Sequence, residues 1–340
     1  MAPETCVNAF DALAEPTVPV WASARQTAAR SLPVVMAASA CGLLGWYLTS
    51  RGEAWPQLRL ASPAMLVVCG LATLGAMLAP GPIFWVMTRR VGKQIGLAES
   101  TWLSVLTVAI SAVVPFHGGA AARAMYLKRR HGLELSAFAA TFLGYNILRL
   151  LAASLVALSA GGWLLWRQPQ SGAALIAIVT VAAGFASAAV AACLVRPSWF
   201  GALAGHWLLA PLARFQQGWQ ELMACPRFLG RVLALVGLQI ACELVAVWAA
   251  WSAVGLPLSA AVVLLVTGFA ILTALTGLTP NGLGLVELVT VLVGASVAID
   301  PAHGIAAGLV GRGVLMVVVF LTAPIALAAI WRLHGGRQAA

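Results

Sequence analysis

Five charged residues, Arg123, Arg149, Arg312, Glu243 and Glu287, stand inside stretches that are otherwise apolar. If those stretches lie in a membrane, each ion costs about 2.5–3.5 kcal/mol at a helix centre. A chain that keeps all five gains something from them, and two uses fit. One is structural, with Arg–Glu pairs bridging helices. The other is binding, because three cations against two anions leave one positive charge for an anionic guest. Arg123 and Arg149 are then the expected guest ligands. Glu243 and Glu287 are the expected ion-pair partners, Glu287 with Arg312 or Arg149. Tyr145 and Asn146 precede Arg149 by one helical turn, so the three share a face. Gly304, Gly308 and Arg312 share another, where glycines permit close helix approach.

Arg123 and Glu287 each follow a break in an apolar run. Val114-Pro115-Phe116-His117-Gly118-Gly119 interrupts the run that begins at Trp102, and Thr279-Pro280-Asn281-Gly282-Leu283-Gly284 interrupts the run from Val262. Pro115 aligns with Pro280, and Gly119 with Gly284, about 165 residues apart. After each break comes an ion, then a long apolar helix with one internal arginine, Arg149 or Arg312. Matching Pro/Gly-interrupted segments in two halves point to the central site of a transporter. Glycines permit the turn, and each restarting helix presents unpaired N–H groups and a positive dipole end toward mid-membrane. Phosphate is the natural ligand for that geometry. The expected headgroup groove is therefore His117, Gly118, Gly119, Arg123, Tyr145, Asn146, Arg149, Asn281, Gly282 and Gly284, with Glu243, Glu287 and Arg312 in ion pairs. A lone histidine in a turn also serves as a hydrogen-bonding spacer, so His117 has two readings.

Other chemistry is not signalled. The chain has no G-x-S-x-G, Walker loop, H-E-x-x-H or aspartate-rich diphosphate motif. No catalytic residue, metal site or cofactor is expected. His131, His206, His303 and His334 fall at expected interfaces, and Cys6, Cys41, Cys69, Cys193, Cys225 and Cys242 lack Cys-x-x-Cys spacing, which reads as packing.

The elements that position these residues follow from composition. With 61% hydrophobic residues, 9% charged and a mean hydropathy of +0.95, the chain is no water-soluble globule, whose charged fraction is about 25%. The formal charge of +10 forms no basic stripe with interleaved aromatics, so nucleic acid is not an expected partner. The pattern predicts an all-α polytopic membrane protein of about six full spans plus two Pro/Gly-broken hairpins, in two inverted repeats. Spans are predicted over 32–49, 60–88, 135–166, 173–195, 232–254 and 305–331. Residues 1–30, with no signal-peptide core, read as a cytosolic N-terminal tail. Residues 31–332 form the transmembrane domain, and 333–340 a cytosolic C-terminal tail.

The first hairpin, 99–131, has a descending leg of about 15 residues and a returning leg nearer ten, too short to cross at roughly 1.5 Å per residue. A re-entrant loop fits, since non-helical backbone at membrane depth needs protein or water around it. The second, 256–299, has legs that allow either re-entry or full crossing. Between spans, 196–231 alternates Trp199, Phe200, Trp207 and Trp219 with Arg214, Gln216, Gln217 and Glu221, the pattern of an interfacial amphipathic segment. Placing both termini in the cytosol leaves only Arg51, Arg59 and Arg167 on outer segments, while Arg89, Arg90, Lys93, Lys128, Arg129 and Arg130 join the inner majority. That is a strong positive-inside bias. The first hairpin then enters from the cytosol and the second from outside.

At Val114–Gly119 with Arg123 and Tyr126-Leu127, and at Thr279–Gly284 with Glu287, the chain resembles the lysylphosphatidylglycerol synthetase transmembrane-region family, the flippase-like domain of the multiple peptide resistance factor and its stand-alone relatives. The likeness covers roughly residues 30 to 330. The second motif resembles the family's Pro-Gly-Gly-x-Gly-x-x-Glu, with Asn281 replacing a glycine. The position after Gly119, often acidic in the family, is Ala120, and Tyr145-Asn146 replaces a charged pair, so the resemblance specifies no substrate. No soluble aminoacyl-transferase domain is expected, because the chain stops nine residues after Trp331. The resemblance implies lipid translocation, or an accessory role in envelope lipid or glycan assembly.

Together these readings predict a flippase-like transporter of the cytoplasmic (inner) membrane. An anionic phospho- or aminoacyl-phospholipid headgroup would pass through a polar groove between the hairpins while its tails stay in lipid. The alternatives are an integral membrane enzyme transferring a group onto a lipid, and a non-catalytic subunit partnered with an envelope-synthesis enzyme. Sequence alone sets no oligomeric state.

Overall fold

The computed structural model describes residues 61–90, 94–114, 116–167, 173–194, 225–277, 279–282 and 284–335. The predicted span 32–49, most of the interfacial segment, the N-terminal tail and residues 336–340 of the C-terminal tail lie outside these residues; 333–335 belong to the last helix. The described residues form α1 (Pro63–Leu78), α2 (Pro80–Arg90), α3 (Leu97–Ser111), α4 (Gly118–His131), α5 (Leu135–Arg167), α6 (Ala173–Leu194), α7 (Pro226–Ala253), α8 (Ala260–Leu275), α9 (Leu285–Ser296) and α10 (Pro301–Gly335). A short 3-10 turn over Pro280–Gly282 lies between α8 and α9.

Five helical segments are long and apolar enough to cross a membrane: α1 with α2 as one 28-residue span, α5, α6, α7 and α10. These are the five predicted spans that fall within the described residues. Two helices outrun their predicted spans: α10 covers Pro301–Gly335 against 305–331, and α7 begins at Pro226, inside the amphipathic segment predicted over 196–231. Proline is suited to the first helical position, where its missing N–H forfeits no bond, so the helix starts ahead of the apolar run.

The helical legs of both hairpins are short. The legs of the first are 15 and 14 residues, about 22 and 21 Å long. Its returning leg exceeds the predicted ten residues because Lys128 to His131 stay helical up to Gly132, a left-handed C-cap at φ 60°. The legs of the second are 16 and 12 residues, about 24 and 18 Å, against a hydrocarbon core of about 30 Å. Each helical leg of the second hairpin is therefore shorter than that core is thick.

Packing shows how the halves are related. Gly161 of α5 lies against Leu265 of α8, and Gly268 of α8 against Ala153 and Ala157, so α8 runs along the C-terminal half of α5. The first hairpin enters at the other end of α5, and its tip reaches Phe142, whose ring meets the His117 ring at 5.6 Å. There the two tips touch, with the Phe116 N–H donating to the Gly277 carbonyl at 3.0 Å. The same crossing recurs on α10. Gly304 and Gly308 in its N-terminal half face Val291 and Glu287 of α9, while Val319 and Ala326 in its C-terminal half cluster with Val105 of α3. Each hairpin thus packs on the long helix that follows the other, and the two enter from opposite ends. That is an inverted-repeat arrangement. Lipid tails supply little hydrophobic drive for helix association, so these small-residue contacts and the buried polar bonds described next hold the helices in register.

Candidate functional site

The meeting of the tips leaves a cavity of about 410 Å³, walled by both hairpins and by α1, α5, α7 and α10. All five intramembrane ions line it.

Arg123, six residues into α4, is 4% exposed. Its Nη1 donates to Ser104 Oγ at 3.0 Å and its Nη2 to Ser100 Oγ at 3.1 Å. Both serines are oriented to accept, since Ser100 Oγ donates to the Gly81 carbonyl and Ser104 Oγ to the Ser100 carbonyl. The guanidinium lies 4.0 Å from the Phe84 ring centroid, a cation–π contact. No ion pair to Arg123 is present among the described residues, and its Nε has no hydrogen-bond partner. This is the excess cation expected from the charge count, held by neutral groups.

The other four ions are paired. Arg312 donates from Nε to Glu287 Oε1 at 2.8 Å and from Nη1 to the Asn281 carbonyl at 2.9 Å. Arg149 donates to Glu243 Oε1 at 2.5 Å, and Gln239 Nε2 donates to the same oxygen at 3.1 Å. The Tyr145 hydroxyl donates to Gln239 Oε1 at 2.7 Å. Arg149, expected as a guest ligand, is thus engaged by a carboxylate, although it faces the cavity. Asn146 lines the cavity as well, but its Nδ2 turns back to the Phe142 carbonyl.

Several expected roles change. The glycines Gly118, Gly119, Gly282 and Gly284 do not line the cavity. A Cβ on Gly119 would overlap the Thr107 carbonyl, and one on Gly118 would overlap Val114, so these two let the hairpin legs close on each other. At the restart of α9 the place expected for phosphate is already taken. Glu287 Oε2 accepts the Gly284 N–H at 2.7 Å, which fills the N-terminus of α9 with the chain's own carboxylate. Asn281 adopts φ 48°, a left-handed conformation that asparagine tolerates better than most residues. It offers Arg312 its backbone carbonyl. His117, also left-handed at φ 58°, lines the cavity and stacks its edge on Phe142.

Sequence reasoning missed Ser100, Ser104, Phe84 and Gln239. Three of these had a signal: Ser100 with Ser104, and Gln239 with Glu243, are polar pairs one turn apart within apolar helices. Chemically, the site combines apolar walls with one guanidinium that has no carboxylate partner among the described residues. Among the described residues no three His, Cys, Asp or Glu side chains come together as metal ligands.

A family model described as "Lysylphosphatidylglycerol synthase TM region" matches residues 32–323. The match takes in both hairpins and all five ions. No curated protein matches the chain.

Proposed function

The chain belongs to the lysylphosphatidylglycerol synthase TM region family, and from that premise we propose that it is a flippase-like transporter that moves an anionic phospho- or aminoacyl-phospholipid headgroup across the cytoplasmic membrane. The headgroup enters the cavity at the hairpin tips and its tails remain in lipid. In this reading the partner is membrane lipid, both termini are cytosolic, and the protein carries its guest without altering it.

The observation that carries the reading is Arg123, buried in a cavity between two oppositely inserted hairpins, with three hydrogen bonds to neutral oxygens and no carboxylate partner among the described residues. A buried cation without a counter-ion is unfavourable unless a ligand supplies the charge. A headgroup phosphate supplies it only while bound, which makes the site complementary to a passenger. Hairpins that enter from opposite ends and meet at their tips support alternating exposure of that site by rocking one half against the other.

The test is a translocation assay in proteoliposomes with tail-labelled anionic phospholipid. The expected result is exchange between leaflets faster than in protein-free vesicles, and slowed by Arg123→Gln. Exchange at the protein-free rate overturns the proposal.

A further inference from the structure

Backbone strain gathers where the hairpins meet. Among the described residues four that are not glycine have left-handed φ, and three of them stand at the two tips: Phe116 at 54°, His117 at 58° and Asn281 at 48°. Asparagine and histidine enter that region more readily than most residues, whereas a bulky residue such as phenylalanine rarely does. Phe116 is therefore the strained position. Its side chain does not hold it there, since the residue is 53% exposed. What holds it acts on its backbone and on its neighbour.

The Phe116 N–H donates to the Gly277 carbonyl at 3.0 Å. Beside it the His117 ring lies so close to Gly277 that a Cβ on that glycine would overlap it, and the His117 and Phe142 rings meet edge to face. Gly277, itself left-handed at φ 62°, follows directly on α8, and α8 packs along α5, the helix that carries Phe142. These contacts all reach from the first hairpin to the body formed by α8 and α5. A strained conformation persists only while its surroundings impose it. When the tips part, those surroundings are gone and Phe116 relaxes; when they join, it is strained again. Contact and strain oppose each other, which is the property of an element with two states.

We propose that the joined tips are a reversible latch, closed by the Phe116–Gly277 hydrogen bond and the seating of His117 on Gly277, and driven open by the strain at Phe116. Opening frees the first hairpin from α8 and α5, and so permits one half to rock against the other. The latch rests on the transporter reading for that use, but its opening is a property of the purified protein and is measurable apart from transport.

Hydrogen-exchange protection in peptides covering 112–118 and 272–277 reads how often the tips part, with the interior of α7 as the reference for wider opening. Phe116→Gly and Phe116→Asn ease the left-handed conformation and keep the N–H, so tip protection is expected to rise about fivefold. Gly277→Ala puts a methyl group into the His117 ring, and His117→Ala removes that ring. Both are expected to lower tip protection about fivefold while α7 is unchanged. A merely structural turn would lose protection in all four variants. In proteoliposomes with tail-labelled anionic phospholipid, Phe116→Gly is expected to slow movement between leaflets. Tip protection that does not rise in either Phe116 variant, or does not fall in His117→Ala, overturns the latch, as does lipid movement at the wild-type rate in a Phe116→Gly protein with raised protection. Opposite shifts in a protein that moves no lipid keep the latch and remove the transporter reading. Lipid movement with tip protection unmoved by every variant does the reverse.

Discussion

Neutralising Glu287 separates a structural ion from a ligand ion most sharply. In Glu287→Gln the carboxylate that holds Arg312 Nε at 2.8 Å and caps the Gly284 N–H at 2.7 Å becomes an amide with a single acceptor oxygen. That oxygen serves the cap or the arginine, not both, and Arg312 keeps only the Asn281 carbonyl. The side chains are 14% and 9% exposed, so the guanidinium is left nearly buried and uncompensated, a loss of about 3–5 kcal/mol. At roughly 2 °C per kcal/mol for a chain of this size, Tm falls by about 6–10 °C. Arg123→Gln strands no carboxylate. It gives up charge-assisted hydrogen bonds of about 1.5–3 kcal/mol each while removing a buried charge whose desolvation costs several kcal/mol, so the two offset and Tm moves by less than about 3 °C. Thermal melts on both variants, with transport normalised to folded protein, read the contrast. Arg123→Gln is expected to lose transport and keep stability, and Glu287→Gln to lose stability first. Adding Arg312→Met to Glu287→Gln is expected to recover much of the melt, since replacing both members of a buried pair is close to neutral. Equal destabilisation in both single variants, with transport per folded molecule unchanged, would refute the reasoning and make all five ions structural.

Three further outcomes follow from the geometry. Cysteine labelling is expected to place residue 168 outside and Arg130 inside, and the opposite result for either contradicts the assigned orientation. Gly119→Ala puts a methyl group on the Thr107 carbonyl, so a stability loss of about 1–3 kcal/mol is expected; an unchanged melt means the hairpin legs are not this close. Tyr145→Phe leaves Gln239 Oε1 without its donor, at about 1–3 kcal/mol, and a neutral effect on the melt would show the network to be dispensable.

Much of this arrangement was legible in the residues, for identifiable reasons. Spans such as Leu135–Arg167 are set by length and hydropathy, which are local, and they appear where expected. The breaks were visible because Pro forfeits a helix hydrogen bond and Gly weakens the helix, so a cluster of both inside an apolar run marks an interruption. The pairing of Glu287 with Arg312 was one of two options, and the distance of 25 residues along the chain hid the choice. The Tyr145–Gln239–Glu243–Arg149 network was harder still, since its halves are 94 residues apart and meet only through helix packing. The glycines misled for a different reason. A glycine that frees backbone for a ligand and one that admits a neighbouring carbonyl look identical in sequence, and Gly119 proved to be the second kind. Glu287 was likewise identified as an ion-pair partner, but its second oxygen, capping its own helix, was invisible without coordinates.

The central claim is that an anionic headgroup sits on Arg123 between the hairpin tips, and a structure determined in nanodiscs containing anionic phospholipid tests it most directly. The account predicts headgroup density inside the cavity, with phosphate oxygens within hydrogen-bond distance of Arg123 and the acyl chains leaving toward the bilayer. An empty cavity, or phosphate confined to the surface arginines Arg129 and Arg130, would contradict it.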